Sequence, residues 1–573
     1  MKPLFPLLLA SAIACASMET MAATDLILHN AKIYTAEPGQ ALQQAIAVEN
    51  GKVLAVGSDA QILALKQPAT RLIDLGGKVL MPGFIDSHTH LVKGGLQMHQ
   101  ANLNNQDMPL DELERQLRQW RDDGTARRGE FLSVGGVPTS YWDRIGELEQ
   151  RFNHGEWATT PILLAGGDYH TGWANRALLA RAGVDAAKVK ALQGEERATI
   201  GHHDNGEPNG FLVDAGLYPV QALLPLASDA ELLVALEDAQ QHYHSLGITA
   251  WMEPLANENP GGDIHNDSLG VLPAYKALAA KGGLNAHVAA LLMADSKATP
   301  TDLDQLDQVR QQFQGIANLS LPGIKVFADG VAEHPAQSAA MLEPYSNSGK
   351  NGELLFDPQG FARLVDAADA RGWLVHVHAI GDRAVHESLN AVAYARKQRH
   401  SGIHHSITHL QMVTPGDFAR FQALDVIAAM QLDWAAADEM SVDLVKPYVT
   451  AQAYQYMYPA HSLLSNGATI AGASDWPITT ADPWKAIYQA LTRKGPQGVL
   501  APAEAVDRQT MFQAYTLNAA RALQLDRQIG SLKPGKQADL IVLDRDVFQV
   551  SPEALGDTQV LKTYFAGREV FSR

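Results

Sequence analysis

Residues 81–90 read MPGFIDSHTH. Met81-Pro82-Gly83 closes a run of short β-type segments, Phe84 and Ile85 open a new apolar strand, and His88 and His90 follow one residue apart. The sequence on either side decides what that junction is. Upstream, DLILHNAKIYTA, AIAVENGKVLAVG and ATRLIDLGGKVLMPG read as short strands broken at Asn-Gly and Gly-Gly turns. Downstream, apolar β-type segments recur at 83–88, 247–253, 286–292, 323–329, 373–378, 406–411, 426–431 and 469–475. Stretches of helical periodicity such as FARLVDAADARG separate most of them. Eight βα units predict a (β/α)8 TIM barrel, an α/β fold whose reactive groups lie at the C-terminal strand ends. A doubly wound open sheet is the alternative that the same strand count allows.

The β-rich character returns at the far end, in IGSLKPGKQADLIVLDRD and QVLKTYFAGREVF. Neither terminus has enough strands to cover a sheet face, so 24–82 and 528–573 are expected to form one small β-sandwich. The barrel is then expected over 83–527. Residues from about 92 to 246 are too many for a βα connection. They hold an amphipathic helix, LDELERQLRQWRDDG, and an apolar strand of their own, PILLAGGDYH. This points to a subdomain inserted between barrel strands 1 and 2, over the barrel mouth.

At 573 residues with 46% hydrophobic and 19% charged positions, the chain is of ordinary globular composition. Its net charge of −18 disfavours nucleic acid and anionic membrane surfaces as partners. Lys2, the apolar run 4–16 and small residues at 20–23 have the layout of a secretory signal peptide over 1–22. Export, to a bacterial periplasm, is the expected localisation. No later segment is apolar for long enough to span a bilayer, so no integral membrane segment is expected in the mature chain. The one cysteine, Cys15, lies in the leader. Ala12-Ile-Ala-Cys15 loosely resembles a lipobox but lacks the usual aliphatic first residue, which leaves lipid anchoring the lesser expectation. After cleavage neither a disulfide nor a thiol nucleophile remains.

Two positions apart on a strand, His88 and His90 would face one way and could reach a common metal, although a polar strand end would look the same. Later strand ends add weight. Lys325 sits in GIKVFADG, His376 and His378 in WLVHVHAIGD, His409 in HHSITHLQ and Asp475 in TIAGASDWP. Imidazole and carboxylate suit zinc and similar divalent ions, and three or four such ligands with an open position make a catalytic site. Any single histidine among 21 carries little information; their recurrence at successive strand ends carries much more.

Taken together, VLMPGFIDSHTHL, DYHTGWANRALLARAG, GEPNGFLVDA, LGITAWMEP, IKVFADG, VHAIGDRAV, GASDWPI and IGSLKPGKQADLIVLDRD resemble the metal-dependent amidohydrolase superfamily, and within it the amidohydrolase-3 (YtcJ-like) branch. The resemblance implies His88 and His90 as ligands of a first metal, and Asp475 as ligand and proton shuttle. It implies His378 and His409 at a second metal, with Lys325 N-carboxylated to bridge the two. A carbamate would offer two anionic oxygens where an ammonium would be repelled. A single metal, with Lys325 unmodified and paired to a carboxylate such as Asp329, is the other reading.

Three departures from the family pattern bear on substrate. Tyr169 replaces the usual glycine of Asp168-Tyr169-His170; VAEHPAQSAA follows KVFADG where relatives often carry SLGSRTA, with loss of an arginine; and Thr408-His409 stands where Glu-His is common. Asp168 and His170 are expected to contact substrate. The expected activity is hydrolysis of a non-peptide C–N bond in a small amide or N-acyl or N-formyl amine, by hydroxide generated at one or two divalent ions, zinc foremost, with Asp475 as the proton shuttle and His378 as a second catalytic group. Hydrolytic deamination of a cyclic or aromatic amine is the enzymatic alternative, and a non-catalytic metal-binding or regulatory relative the other. A homodimer would fit the class.

Overall fold

The computed structural model describes residues 24–573 except Tyr169, Glu195, Glu196, Ala198, 261–267 and His400. The expected leader, with Cys15, and the Tyr169 departure lie outside the described residues. Eight parallel strands form the central sheet: β1 (Phe84–Asp86), β2 (Ile248–Glu253), β3 (His287–Met293), β4 (Leu319–Phe327), β5 (Leu374–Ala379), β6 (His405–His409), β7 (Val426–Met430) and β8 (Thr469–Gly472). They are neighbours in chain order, the expected TIM-barrel arrangement. Strands such as ITAWME and VIAAM are buried along their whole length, as required where helices cover the outside and side chains fill the inside.

Alternation along the strands sorts the interior into a floor and a mouth. Ile85, Ala250, Met252, Ala289, Leu291, Leu374, Ile427 and Ala471 pack as one apolar cluster, closed from beneath by Ala519, Ala520, Leu523 and Ile529. In β5 the floor residue Leu374 is followed on the same face by His376 and His378, so polarity rises toward the C-terminal end.

β1 and β8 are shorter than the apolar runs suggest, and the expected strand ends at His88 and Asp475 are corrected accordingly. β1 stops at Asp86 and β8 at Gly472, so strand alternation does not orient His88, His90 or Asp475. Irregular backbone closes the barrel there. Ser87 donates its N–H and its hydroxyl to the Gly472 carbonyl at 3.0 and 2.8 Å, Asp475 N–H donates to His88 O at 2.8 Å, and His90 N–H to Trp476 O at 2.9 Å. The Asp86 carboxylate explains why the ladder gives way. It accepts the His88 N–H, the Ser474 N–H and hydroxyl, and the Tyr243 hydroxyl, competing with regular pairing and tying both segments together.

Helix α1 (Leu91–Met98) starts directly after His90 and packs on α2 (Asp229–Ser245), which leads into β2. The contact is close: a Cβ on Gly95 would lie 2.0 Å from the Ala235 carbonyl oxygen, so only glycine lets the helices meet. Between them stand a six-stranded sheet running from Arg127 to Val213 and an apolar cluster that includes Leu117, Tyr141, Phe152, Trp157 and Trp173. The termini meet in a five-stranded sheet, where Val79–Pro82 pairs antiparallel with Leu540–Leu543. A four-stranded sheet carrying Leu26, Leu28, Ile46 and Val48 faces it across Leu80, Leu540, Val542 and Tyr564.

Candidate active site

Three donor atoms converge where the barrel closes. His88, His90 and Asp475 each place one ligand atom within 4.8 Å of the others. Asp475 Oδ1 lies 3.3 Å from His88 Nε2 and 3.2 Å from His90 Nε2. Neither ring is aligned to hydrogen-bond it, which leaves that buried oxygen without a donor. Asp475 sits at φ +56° and is reached only because the seam holds it there, a conformation that costs a non-glycine residue about 1–3 kcal/mol. Burial pushes its carboxyl up, but the approach of His90 and the field of His409 and Lys325 more than offset this, leaving it below the usual carboxylate range.

His88 and His409 are buried and held well below the ordinary histidine range, first by desolvation and then by nearby cationic groups; His378 is driven down to about 3 for the same reasons. Neutral rings with available lone pairs suit metal ligation. An orphaned carboxylate oxygen between two imidazole nitrogens is therefore a donor set that fits a divalent cation of the zinc type.

The other residues singled out from the sequence lie on the opposite wall. His409, at φ +76°, places Nδ1 3.9 Å from Asp475 Oδ2, stacks on Trp434 at 5.5 Å, and contacts Gln431 Oε1 at 3.2 Å. His378 packs against the His409 ring at 4.5 Å, while its Nε2 meets the Gly330 carbonyl at 3.1 Å. Lys325 is buried over the Phe327 ring, and desolvation lowers its amine to about 7. It does not form the alternative pair with Asp329. That carboxylate accepts the amides of Ile380, Gly381 and Ala340 and lies 3.6 Å from His378 Nε2.

Asp168 and His170 belong to the insertion. Asp168 accepts the amides of His170 and Thr171 and the Thr171 hydroxyl, organising its own turn. His170 Nδ1 contacts Asp214 Oδ1 at 2.6 Å. Burial lowers its pKa, but Asp214, with Asp168 and Glu333, raises it overall. Three groups carry structure at the site without a role read from the sequence: Asp86 at the seam, Trp434 beneath His409, and His376. The His376 signal was its i, i+2 spacing to His378, which puts both rings inside.

The amidohydrolase family profile matches residues 71–571. The chain belongs to the amidohydrolase family. It is 30% identical over 558 residues to the protein LONG AFTER FAR-RED 3 of Arabidopsis thaliana, covering 96% of this chain and 91% of that one. It is 25% identical over 567 residues to an N-substituted formamide deformylase of Arthrobacter pascens, covering 95% and 97%. A solved metal-dependent hydrolase of Pyrococcus horikoshii shares the fold at a TM-score of 0.72 and 24% identity, over 92% of this chain and 99% of that one. The family membership agrees with the resemblance carried by the MPGFIDSHTH, HAIGDRAV and GSLKPGKQADL elements. In this amidohydrolase a cavity of about 360 Å³ lies beside α1 and the segment after Asp475, lined among others by Gln97, Asn102, Asn105, Trp476 and Thr479. Among the described residues no helix is long and apolar enough to cross a membrane.

Proposed function

We propose that this amidohydrolase is a metal-dependent hydrolase that cleaves a non-peptide carbon–nitrogen bond in a small amide or N-acyl or N-formyl amine. The observation that carries the reading is Asp475 Oδ1, buried without a donor 3.3 and 3.2 Å from two imidazole nitrogens. His88, His90 and Asp475 would hold the ion, zinc foremost; a second ion would draw on His378, His409 and a carboxylated Lys325. A bound divalent ion supplies Lewis acidity and brings the pKa of water near neutrality. Asp475, ionised at neutral pH, accepts the proton of the attacking water and delivers it to the leaving nitrogen. His170, anchored through Nδ1 on Asp214, keeps Nε2 for a substrate oxygen, and His378, whose Nε2 meets the Gly330 carbonyl, keeps Nδ1 on the opposite wall for the second ion. The amine and the carboxylate leave as separate products. Support for an N-formyl amine comes from similarity to the N-substituted formamide deformylase along nearly the whole of both chains. The leader-like 1–22 supports a periplasmic site of action.

The test is metal content measured with turnover of N-formyl amines, N-acyl amines, cyclic amides and amino-heterocycles. A larger amine as product supports the proposal. Ammonia as the only nitrogen product would make the enzyme a deaminase, and tightly bound metal without hydrolysis would make it a binding protein.

A further inference from the structure

Behind His88 runs a buried chain that the catalytic reading does not use. His88 Nδ1 lies 2.6 Å from His376 Nε2, and His376 Nδ1 lies 2.6 Å from Ser406 Oγ. All three residues are at most 1% exposed. The β4–β5–β6 register aligns them, with Lys325 opposite His376 and His376 opposite Ser406. The chain starts on the ring whose other nitrogen faces Asp475.

We propose that His376, held by Ser406, is a positioning residue that fixes His88 as the tautomer protonated on Nδ1, so that its Nε2 lone pair points at the metal position. The inference rests on the metal-dependent reading above. A neutral imidazole carries one N–H, so the chain has two orders. In one, Ser406 donates to His376 Nδ1 and His376 Nε2–H donates to His88 Nδ1, which leaves His88 protonated on Nε2 and unable to ligate. In the other, His88 Nδ1–H donates to His376 Nε2 and His376 Nδ1–H donates to Ser406 Oγ. Only the second frees Nε2. The ring of His88 has no strand to orient it, since β1 ends at Asp86. Its direction comes from this chain, from Asp86 on its amide and from the seam. Outer partners of this kind typically change metal affinity by about 10–100-fold.

The test measures Zn²⁺ affinity and stoichiometry of the full-length protein by chelator competition, with circular dichroism as the check on folding. His376→Gln places an amide oxygen near the position of Nε2 and keeps an acceptor for His88; His376→Asn places its amide near Nδ1 and does not. We expect His376→Asn and His376→Leu to bind Zn²⁺ about 10–100-fold more weakly, His376→Gln to stay within about threefold of the parent, and Ser406→Ala to fall between. In zinc-loaded protein, the ¹⁵N signals of His88 should report a proton on Nδ1. Equal affinities for the Gln and Asn variants would overturn the proposal, as would a proton on His88 Nε2 in the loaded state. Loss of one bound ion in His376→Gln would make His376 a ligand and overturn it too. Should His376→Leu fail to fold, the Gln–Asn contrast and Ser406→Ala decide the matter. These readouts need no substrate, so absence of amide hydrolysis would count against the proposed activity and leave this inference standing.

Discussion

The two walls of the candidate site are built on different principles. On the β8–β1 wall, His88, His90 and Asp475 converge to within 4.8 Å, and a buried carboxylate oxygen is left without a donor. On the β4–β6 wall each group already has a neighbour: His378 has the Gly330 carbonyl, His409 has Gln431 and Trp434, and Lys325 has the Phe327 ring. The first wall leaves a carboxylate oxygen open beside two imidazole nitrogens. The second must exchange existing contacts to take part. The contrast teaches that regular strands supply stable, satisfied positions, whereas the irregular seam, braced by Asp86, can hold a group in an unsatisfied one.

The sharpest way to break this contrast is at Asp475. Asp475→Asn should lower kcat by about 10²–10⁴-fold with the fold retained, the range expected for losing a general base; near-parental turnover in a steady-state assay would remove it from the mechanism. Next come the walls themselves. His90→Ala should abolish stoichiometric metal binding, whereas His378→Ala should keep one ion per chain while losing activity, as read by elemental analysis of dialysed protein. Equal metal loss in both variants would mean that the walls act as one.

Lys325 sharpens the contrast through pH. Its folded pKa, about 7, lies below the unfolded value of 10.5, so between the two the unfolded chain binds more protons. Metal-free protein should therefore gain stability from this group as pH rises from about 7 to 10.5, by up to about 1.4 kcal/mol per pH unit. Lys325→Met should remove that slope and stabilise the metal-free protein near neutrality, which denaturant titration at several pH values would check. A slope unchanged by the substitution would place the charge elsewhere. The smallest effect is expected at the insertion. Asp168→Asn should cost about 1–2 kcal/mol through its turn and leave metal stoichiometry unchanged; a lost ion would extend the site beyond the barrel.

Much of this is legible in the sequence. The eight barrel strands follow from long apolar runs separated by helical periodicity, a local pattern that burial on both faces imposes. Lys325, His378 and His409 were readable because they lie within β4, β5 and β6, where spacing in sequence is direction in space. The roles of His376 and Ser406 were not. Their contact depends on the register between strands 30 residues apart, and on a His88 ring that no strand orients. Asp168 and His170 were read as substrate contacts from the family pattern of the insertion; what tertiary structure adds is that the Asp168 carboxylate also accepts the Thr171 amide and hydroxyl of its own turn.

By itself, the sequence determined the fold class, the family and the residue types available for chemistry, because periodicity and motif order are local properties of the chain. Tertiary structure alone decided which residues meet. It ended β1 at Asp86 and β8 at Gly472, and brought Asp475 to His88 and His90 across nearly 390 residues of chain. The reason is physical: the seam is held by hydrogen bonds from Ser87, His90 and Asp475 across the two segments and by the buried Asp86 carboxylate that accepts donors from both, and no local pattern records a hydrogen bond between residues so far apart.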